Sequence, residues 1–229
     1  MTEVATGKVR VWDVPVRLFH WSLLGLFCFS WWSGENHEMD WHRQSGLLVL
    51  ALLLFRIFWG LAGSRTARFA QFLKSPREVI AYARKAGDEH STDGHNPLGG
   101  WSVAALLLVL LTLVSAGLFA VDVDGLESGP LADYISFDAG RQASEIHEIA
   151  FKAALALIGL HVCAIGYYQF LVGRDLVSPM ITGKRELAPG ESVEGVRWSP
   201  VRALIGLAVI TALVWAVSKG FHFSSAGEV

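Results

Sequence analysis

The sequence predicts an all-α integral membrane protein, a bundle of five transmembrane helices in which residues 1–229 form a single membrane domain. Three observations lead there. The 229 residues are 52% hydrophobic and 17% charged, with a mean hydropathy of +0.41. The apolar residues fall in unbroken runs near 20 residues, long enough at ~1.5 Å per residue to cross a hydrocarbon core of about 30 Å. The loops between those runs are alternately basic and acidic, as successive crossings require. The runs do not alternate polar with apolar, so no strands are expected, and there is no internal repeat.

Residues 1–16 are a polar lead-in ending VRVWDVPVR, with Asp13 placed to cap a helix and Pro15 suited to its first turn. The first span covers about 16–32 and carries His20. A short acidic loop, SGENHEMDW, holds His37, and the second span follows at 43–62 with Arg56 in its later half. The polar connection Gly63–Gly100 contains Arg65, Arg68, Lys74, Arg77, Arg84 and Lys85. Its middle, SPREVIAYARKA, has helical periodicity with charges on one side and suits the membrane surface. GHNPLGGW then leads into the third span, 101–120. The acidic loop VDVDGLESGPLADYISFDAGRQAS has Arg141 as its one base and precedes the fourth span, 147–170. A basic loop with Arg174, Lys184, Arg185 and Arg197 leads to a fifth span, 201–217.

Basic residues favour the cytoplasmic side of short loops. The lead-in, the 63–100 loop and the 173–200 loop are basic, whereas 33–41 and 121–144 are acidic. The expectation is a multi-pass membrane protein with a cytoplasmic N-terminus and the tail FHFSSAGEV outside. The first twenty residues lack an apolar core followed by a small-residue cleavage site, so the first span should persist in the mature protein. The formal net charge of −2 implies no nucleic-acid partner. Cys28 and Cys163 lie inside apolar runs and read as small hydrophobes, with no disulfide and no CxxC or CxxCH chemistry.

The histidines carry the chemistry. His147 and His161 lie fourteen residues apart on the fourth span, so both imidazoles leave one helix face, separated by roughly 21 Å along the axis. An imidazole inside an apolar helix is costly unless it faces the bundle and finds a partner. The expected topology puts His42 at the depth of His147 and His20 at the depth of His161. Each pair comes from two different helices, as two ligands approaching one iron from opposite faces must. Zinc or non-haem iron would need three or four donors converging on one point. Two donors per level suit haem, whose macrocycle supplies the other four. Without CxxCH, two such haems would be held by ligation and packing alone. His37 is an alternative to His42, whereas His90, His95 and His222 read as solvated.

These residues resemble a known family. VWDVPVRLFHW (11–21), HRQSGLLVLALLLFRIFWGLAGSRTARF (42–69), GHNPLGGW (94–101), the IHE…GLH pair (146–161) and SPMITGKRE (178–186) are similar to the bacterial cytochrome b561 family, which includes the b-type membrane subunit of nickel–iron hydrogenases. The resemblance implies a four-helix core binding two haems b and passing electrons between the quinone pool and a redox partner. That partner would be a periplasmic c-type cytochrome or another periplasmic redox protein. By position His20, His42, His147 and His161 match the family's axial ligands, paired His20–His161 and His42–His147. The long basic 63–100 loop, the second basic loop and the fifth span depart from the smallest members.

Several residues could support such cofactors. Arg56 would pair with a haem propionate, unless it snorkels to the headgroups. Arg17, one turn before His20, is a similar candidate with a plain positive-inside role as its competitor. Gly25, Gly46, Gly117 and Gly159 would admit a flat macrocycle or simply pack helices. Glu145 and Glu148 flank His147, where they would tune its haem, meet a partner or serve as helix-start acids. His95 and Asn96 could line a quinone pocket. Two other function classes stay open: an anchor or assembly subunit docking a periplasmic enzyme through the 121–144 loop, and a superoxide:quinone oxidoreductase. The acidity of that loop disfavours steering an anion to it.

Overall fold

The computed structural model describes residues 7–84, 94–187 and 195–221. His90, His222 and Lys85 lie outside them. Helix dominates. In chain order the elements are strand β1 (Lys8–Arg10), helices α1 (Val14–Glu35) and α2 (Met39–Ala62), the short α3 (Phe69–Phe72), α4 (Pro76–Arg84) and α5 (Pro97–Phe119). Then come α6 (Phe137–Gly166), prolonged by a π-helical turn Tyr167–Val172, the short α7 (Val177–Thr182), strand β2 (Lys184–Glu186) and α8 (Pro200–Ser218).

Among the described residues four segments are long and apolar enough to cross a membrane: α2, α5, α6 with its π turn, and α8. The predicted fifth span is thus among them. The predicted first span is not, although α1 has 22 residues, because Arg17, His20, Trp21, Trp31 and Trp32 dilute its apolar character. The fourth helix begins at Phe137 rather than near 147, so the end of the acidic loop is helical.

The chain folds as two compact units. One comprises Met1–Trp21, Arg56–Leu106 and Ala156–Ala203; the other comprises Ser22–Phe55, Leu107–Leu155 and Leu204–Val229. The first is organised around Asp13, which is fully buried. Its Oδ1 accepts the Val16 N–H at 2.8 Å, the cap expected from the sequence. Its Oδ2 accepts the indole N–H of Trp59 at 2.8 Å, and Trp59 is also fully buried. One carboxylate therefore starts α1 and fastens it to the end of α2. Thr66 Oγ1 donates to Val11 O at 2.7 Å.

The expectation of no strands needs correction. β1 pairs antiparallel with β2, Lys8 opposite Glu186, Val9 opposite Arg185 and Arg10 opposite Lys184. Three-residue strands so far apart in the chain leave no alternation for a sequence to display. Beside them Gly183 O accepts from the N–H groups of Val11 and Trp12 at 2.9 and 3.2 Å. Gly183 has φ +82°, and a Cβ there would lie 2.8 Å from Arg17 Nη1 and 2.9 Å from Trp12 O, so only glycine fits this turn. The amphipathic α4 forms as predicted. Ser75 and Glu78 bracket its start, Glu78 Oε2 accepting from Ser75 N and Oγ at 2.8 Å each.

In the second unit α1 meets α6 through Phe27 and Trp31 against the Phe151 ring, with centroids 6.0 and 5.6 Å apart. The acidic loop is folded rather than loose. Val121 O accepts from Arg141 Nη1 at 2.8 Å and from Ser144 Oγ at 2.6 Å. Gly129 N and Leu131 N donate to Ala120 O and Leu118 O at 2.8 and 2.9 Å. Tyr134 OH reaches Gly220 O at 2.6 Å, beyond the end of α8.

The double duty of Asp13 gives a stability prediction. Asp13→Ala removes an N-cap worth ~1 kcal/mol and the hydrogen bond from the buried Trp59 indole to a carboxylate, worth a further ~1–2 kcal/mol. Asp13→Asn keeps an acceptor and should cost less. Heat denaturation of the purified protein in detergent should therefore rank the wild type above Asp13→Asn and that above Asp13→Ala.

Candidate haem-ligand sites

His42 on α2 and His147 on α6 face one another in the second unit, with ring centroids 5.9 Å apart and planes at 76°. Each ring is held in the same way. His42 Nδ1 lies 2.8 Å from Ser30 O on α1, and His147 Nδ1 lies 2.8 Å from Leu113 O on α5. A carbonyl can only accept, so each Nδ1 carries the proton and donates. In the neutral ring Nε2 is then the nitrogen left to bind a metal.

The approach of each ring to its carbonyl depends on a glycine one helical turn further on. A Cβ at Gly34, four residues after Ser30, would stand 3.1 Å from His42 Nδ1. A Cβ at Gly117, four residues after Leu113, would stand 2.9 Å from His147 Nδ1. Gly117 thus clears space for the His147 imidazole, and it also lines the cavity beside the pair. At Gly25, Gly46 and Gly159 an added Cβ would meet nothing within 4 Å among the described residues.

A cavity of about 1020 Å³, counting its open mouth, surrounds the pair. Phe27, Leu47, Val49, Leu113, Val114 and Phe151 make it largely apolar, and Gly46 lines it. Its charged residues are Glu35, Arg43 and Glu148. Glu148 is paired with Lys152 at 2.6 Å. His37, the alternative ligand, occupies the exposed turn between α1 and α2 with φ +58°.

In the first unit His20 on α1 and His161 on α6 have ring centroids 6.5 Å apart and planes at 52°. His20 packs edge-on against Trp21 at 5.0 Å. Its Nδ1 is buried with no hydrogen-bond partner among the described residues. Arg56 does not snorkel: it is 3% exposed, its Nη1 donates to Ala67 O at 3.2 Å, and its guanidinium lies over Phe69 and Phe72 at 5.0 and 5.8 Å. Arg17 Nη1 donates to Thr182 O at 3.3 Å, bracing the turn at Gly183.

His95 is not the solvated residue the sequence suggests. Its ring packs on Trp12 and Phe72, each centroid 4.7 Å away, and its Nδ1 is buried without a partner among the described residues. Part of the residue remains accessible. Burial, with Arg56 and His161 nearby, pushes it down to about 3, so it is neutral at pH 7. Asn96 caps α5, its Oδ1 accepting from Gly99 N at 2.6 Å, and its Nδ2 donates to Tyr168 OH at 2.9 Å. Tyr168 OH lies 3.4 Å from Tyr82 OH on α4. Nothing in the sequence marks these two tyrosines, because the π turn that carries Tyr168 has no signature of its own.

Either pair could hold a metal-bearing macrocycle between its two imidazoles. Metal–imidazole bonds of about 2 Å, with ring centres a further ~1.1 Å behind each nitrogen, put two opposed imidazoles roughly 6 Å apart between centroids. The separations of 5.9 and 6.5 Å match that span. Among the described residues no three His, Cys, Asp or Glu side chains gather to hold an ion directly.

This geometry is open to two tests. Gly117→Ala would push the His147 ring off the Leu113 carbonyl, so the haem-to-chain ratio of the purified variant should fall by up to one. His95 binds a proton more readily unfolded, near pH 6.5, than folded. Its contribution to stability is complete above about pH 6.5 and is lost progressively as pH falls toward 3. Denaturation followed across that window should lose part of its acid sensitivity in His95→Gln.

The sequence profile of prokaryotic cytochrome b561 matches residues 11–183, which takes in all four paired histidines. The "Probable Ni/Fe-hydrogenase B-type cytochrome subunit" of Azotobacter chroococcum mcd 1 is 22% identical over 211 residues, covering 77% of this chain and 88% of that subunit. The subunit of the same name from Azotobacter vinelandii matches with the same identity and coverage. No solved structure matches the chain. A profile match over most of the length, on a chain with four apolar helices of spanning length among its described residues, makes this protein a member of the prokaryotic cytochrome b561 family, a multi-pass membrane b-type cytochrome that carries electrons.

Proposed function

We propose that this chain is a di-haem b-type cytochrome of the bacterial inner membrane, with its N-terminus in the cytoplasm, exchanging electrons between the quinone pool and a redox partner on the periplasmic side. The observation that supports it best is the pairing itself. Four histidines from three helices, α1, α2 and α6, make two opposed pairs with centroid separations of 5.9 and 6.5 Å. His42 and His147 would hold one haem b and His20 and His161 the other, with α6 contributing to both. Haem supplies reversible one-electron chemistry when bound.

The chain's own residues orient and insulate that chemistry. Ser30 O and Leu113 O fix the rotation and tautomer of the His42 and His147 rings. The apolar cavity wall excludes water. On the other unit Arg56, a buried cation with Asp13 as its neighbouring acid, would answer the negative charge of a haem carboxylate. Arg17 is the second candidate there. Quinone chemistry needs hydrogen-bond donors near a haem, and His95, Asn96, Tyr168 and Tyr82 offer them. Burial and the contact with Tyr168 push the Tyr82 phenol up to about 12, so it stays a donor at neutral pH.

The relatives bear on the partner class. Both are named as hydrogenase subunits, which favours a redox enzyme as the partner here, and a periplasmic c-type cytochrome is the other candidate. The test is a pyridine haemochrome assay with a reduced-minus-oxidised spectrum of the purified protein. Two haems b per chain are expected. His42→Ala or His147→Ala should remove one of them and His20→Ala or His161→Ala the other. Full haem content in a protein lacking both His147 and His161 would sink the assignment.

A further inference from the structure

Arg43 follows His42 directly on α2 and lines the same cavity as the His42–His147 pair. Among the described residues it is the one fixed cation in that lining. Its side chain is 37% exposed, which puts it at the mouth rather than in the apolar interior. Three groups hold its guanidinium in one place. Nη2 donates to Asp40 Oδ1 at 2.6 Å, and Nη1 donates to Glu127 Oε2 at 2.8 Å and to Ser128 O at 3.5 Å. A guanidinium has five N–H donors, so these bonds leave donors in reserve. The loop that supplies Glu127 also supplies Pro130 to the cavity wall.

An exposed arginine with no further role would be expected to move freely, since isolated surface ion pairs contribute little. Here the sequence supplies two acids and a carbonyl to immobilise one guanidinium beside a candidate ligand histidine. A cavity with Phe, Leu and Val walls has to place the carboxylate edge of a haem at its mouth, where water or a cation can meet it. Glu35 and Glu148, the other charged lining residues, would repel that edge.

We propose that Arg43 is the positioning cation for the haem carboxylate at the His42–His147 site, and that Asp40 and Glu127 hold it there while their own charges oppose it. The proposal rests on reading that pair as axial ligands. It makes the redox potential of one haem a balance between a held cation and its holders. A cation nearby favours the more negative, reduced state, and an anion disfavours it.

The test is a redox titration, followed optically, of the purified protein and of Arg43→Gln, Arg43→Lys and Glu127→Gln, with haem content measured on each. Arg43→Gln should lower the midpoint potential of one haem, Glu127→Gln should raise that of the same haem, and Arg43→Lys should lie between Arg43→Gln and the wild type. The other haem should not move. If Arg43 only braced the loop to α2, Arg43→Gln and Glu127→Gln would break the same brace. Shifts of the same sign, or none, in variants that keep their haem would therefore overturn the proposal. Loss of haem from Arg43→Gln leaves the comparison to Arg43→Lys and Glu127→Gln, which decide it by the same signs. Full haem content in His42→Ala is a different failure, since it would remove the haem assignment itself.

Discussion

An imidazole in a membrane helix has to satisfy one nitrogen before it can offer the other, and the His42–His147 pair is built on that constraint. The solution appears twice. On α1 Ser30 O, and on α5 Leu113 O, accepts from a histidine of a different helix. In each case the residue four positions on, Gly34 or Gly117, leaves the ring room to approach. Polar groups facing hydrocarbon are expensive without a partner, so a helix carbonyl is the simplest acceptor to recruit: it is already present and needs no second buried side chain. Both glycines stand in the last turn of their helices, away from the interior where glycine costs about 1 kcal/mol against alanine.

The two histidine pairs are not copies of one another. His42 and His147 have their Nδ1 atoms bonded to carbonyls, whereas His20 Nδ1 has no such bond among the described residues and its ring leans on Trp21. Around His20 and His161 the supporting structure is the Asp13–Trp59 bond, the Gly183 turn and the buried Arg56. Around His42 and His147 the fixed charges are Glu35, Glu148 and a restrained Arg43. Hydrogen bonding at the ligand and nearby charge are both levers on a haem potential. Two proposed sites with the same ligands and different surroundings are thus able to differ in potential.

Much of the fold was legible because bilayer physics writes long, simple signals. Helices α2, α5 and α8 lie within a few residues of the apolar runs that predict them, and the periodicity of SPREVIAYARKA marks α4. The histidine pairing was legible for the same reason, since fourteen residues return a helix to one face. The rest depends on distant parts of the chain meeting. The β1–β2 pair joins segments near opposite ends of the molecule's first unit in sequence. His95 reads as a loop residue until Trp12 and Phe72 enclose it. Gly34 reads as part of a turn, and only the His42 ring gives it a purpose. Arg43 reads as a loop-edge base, because its meaning lies in Glu127, far along the chain.

α1 departs from the apolarity of the other spans for a related reason. It supplies His20 to one pair and the Ser30 carbonyl to the other, and its rings Trp21, Phe27 and Trp31 meet residues at both. A helix that would face a cofactor as well as lipid could not be uniformly aliphatic. Tryptophan and glycine supply shape and a polar edge where leucine would supply only area. α1, which falls outside the four described helices apolar enough to span, thus carries both His20 and the carbonyl that holds His42. α8 shows the converse. It is apolar enough to span and contributes no histidine, and in sequence it lies beyond the 11–183 stretch that matches the family. Apolarity and the proposed chemistry are thus divided between these two helices.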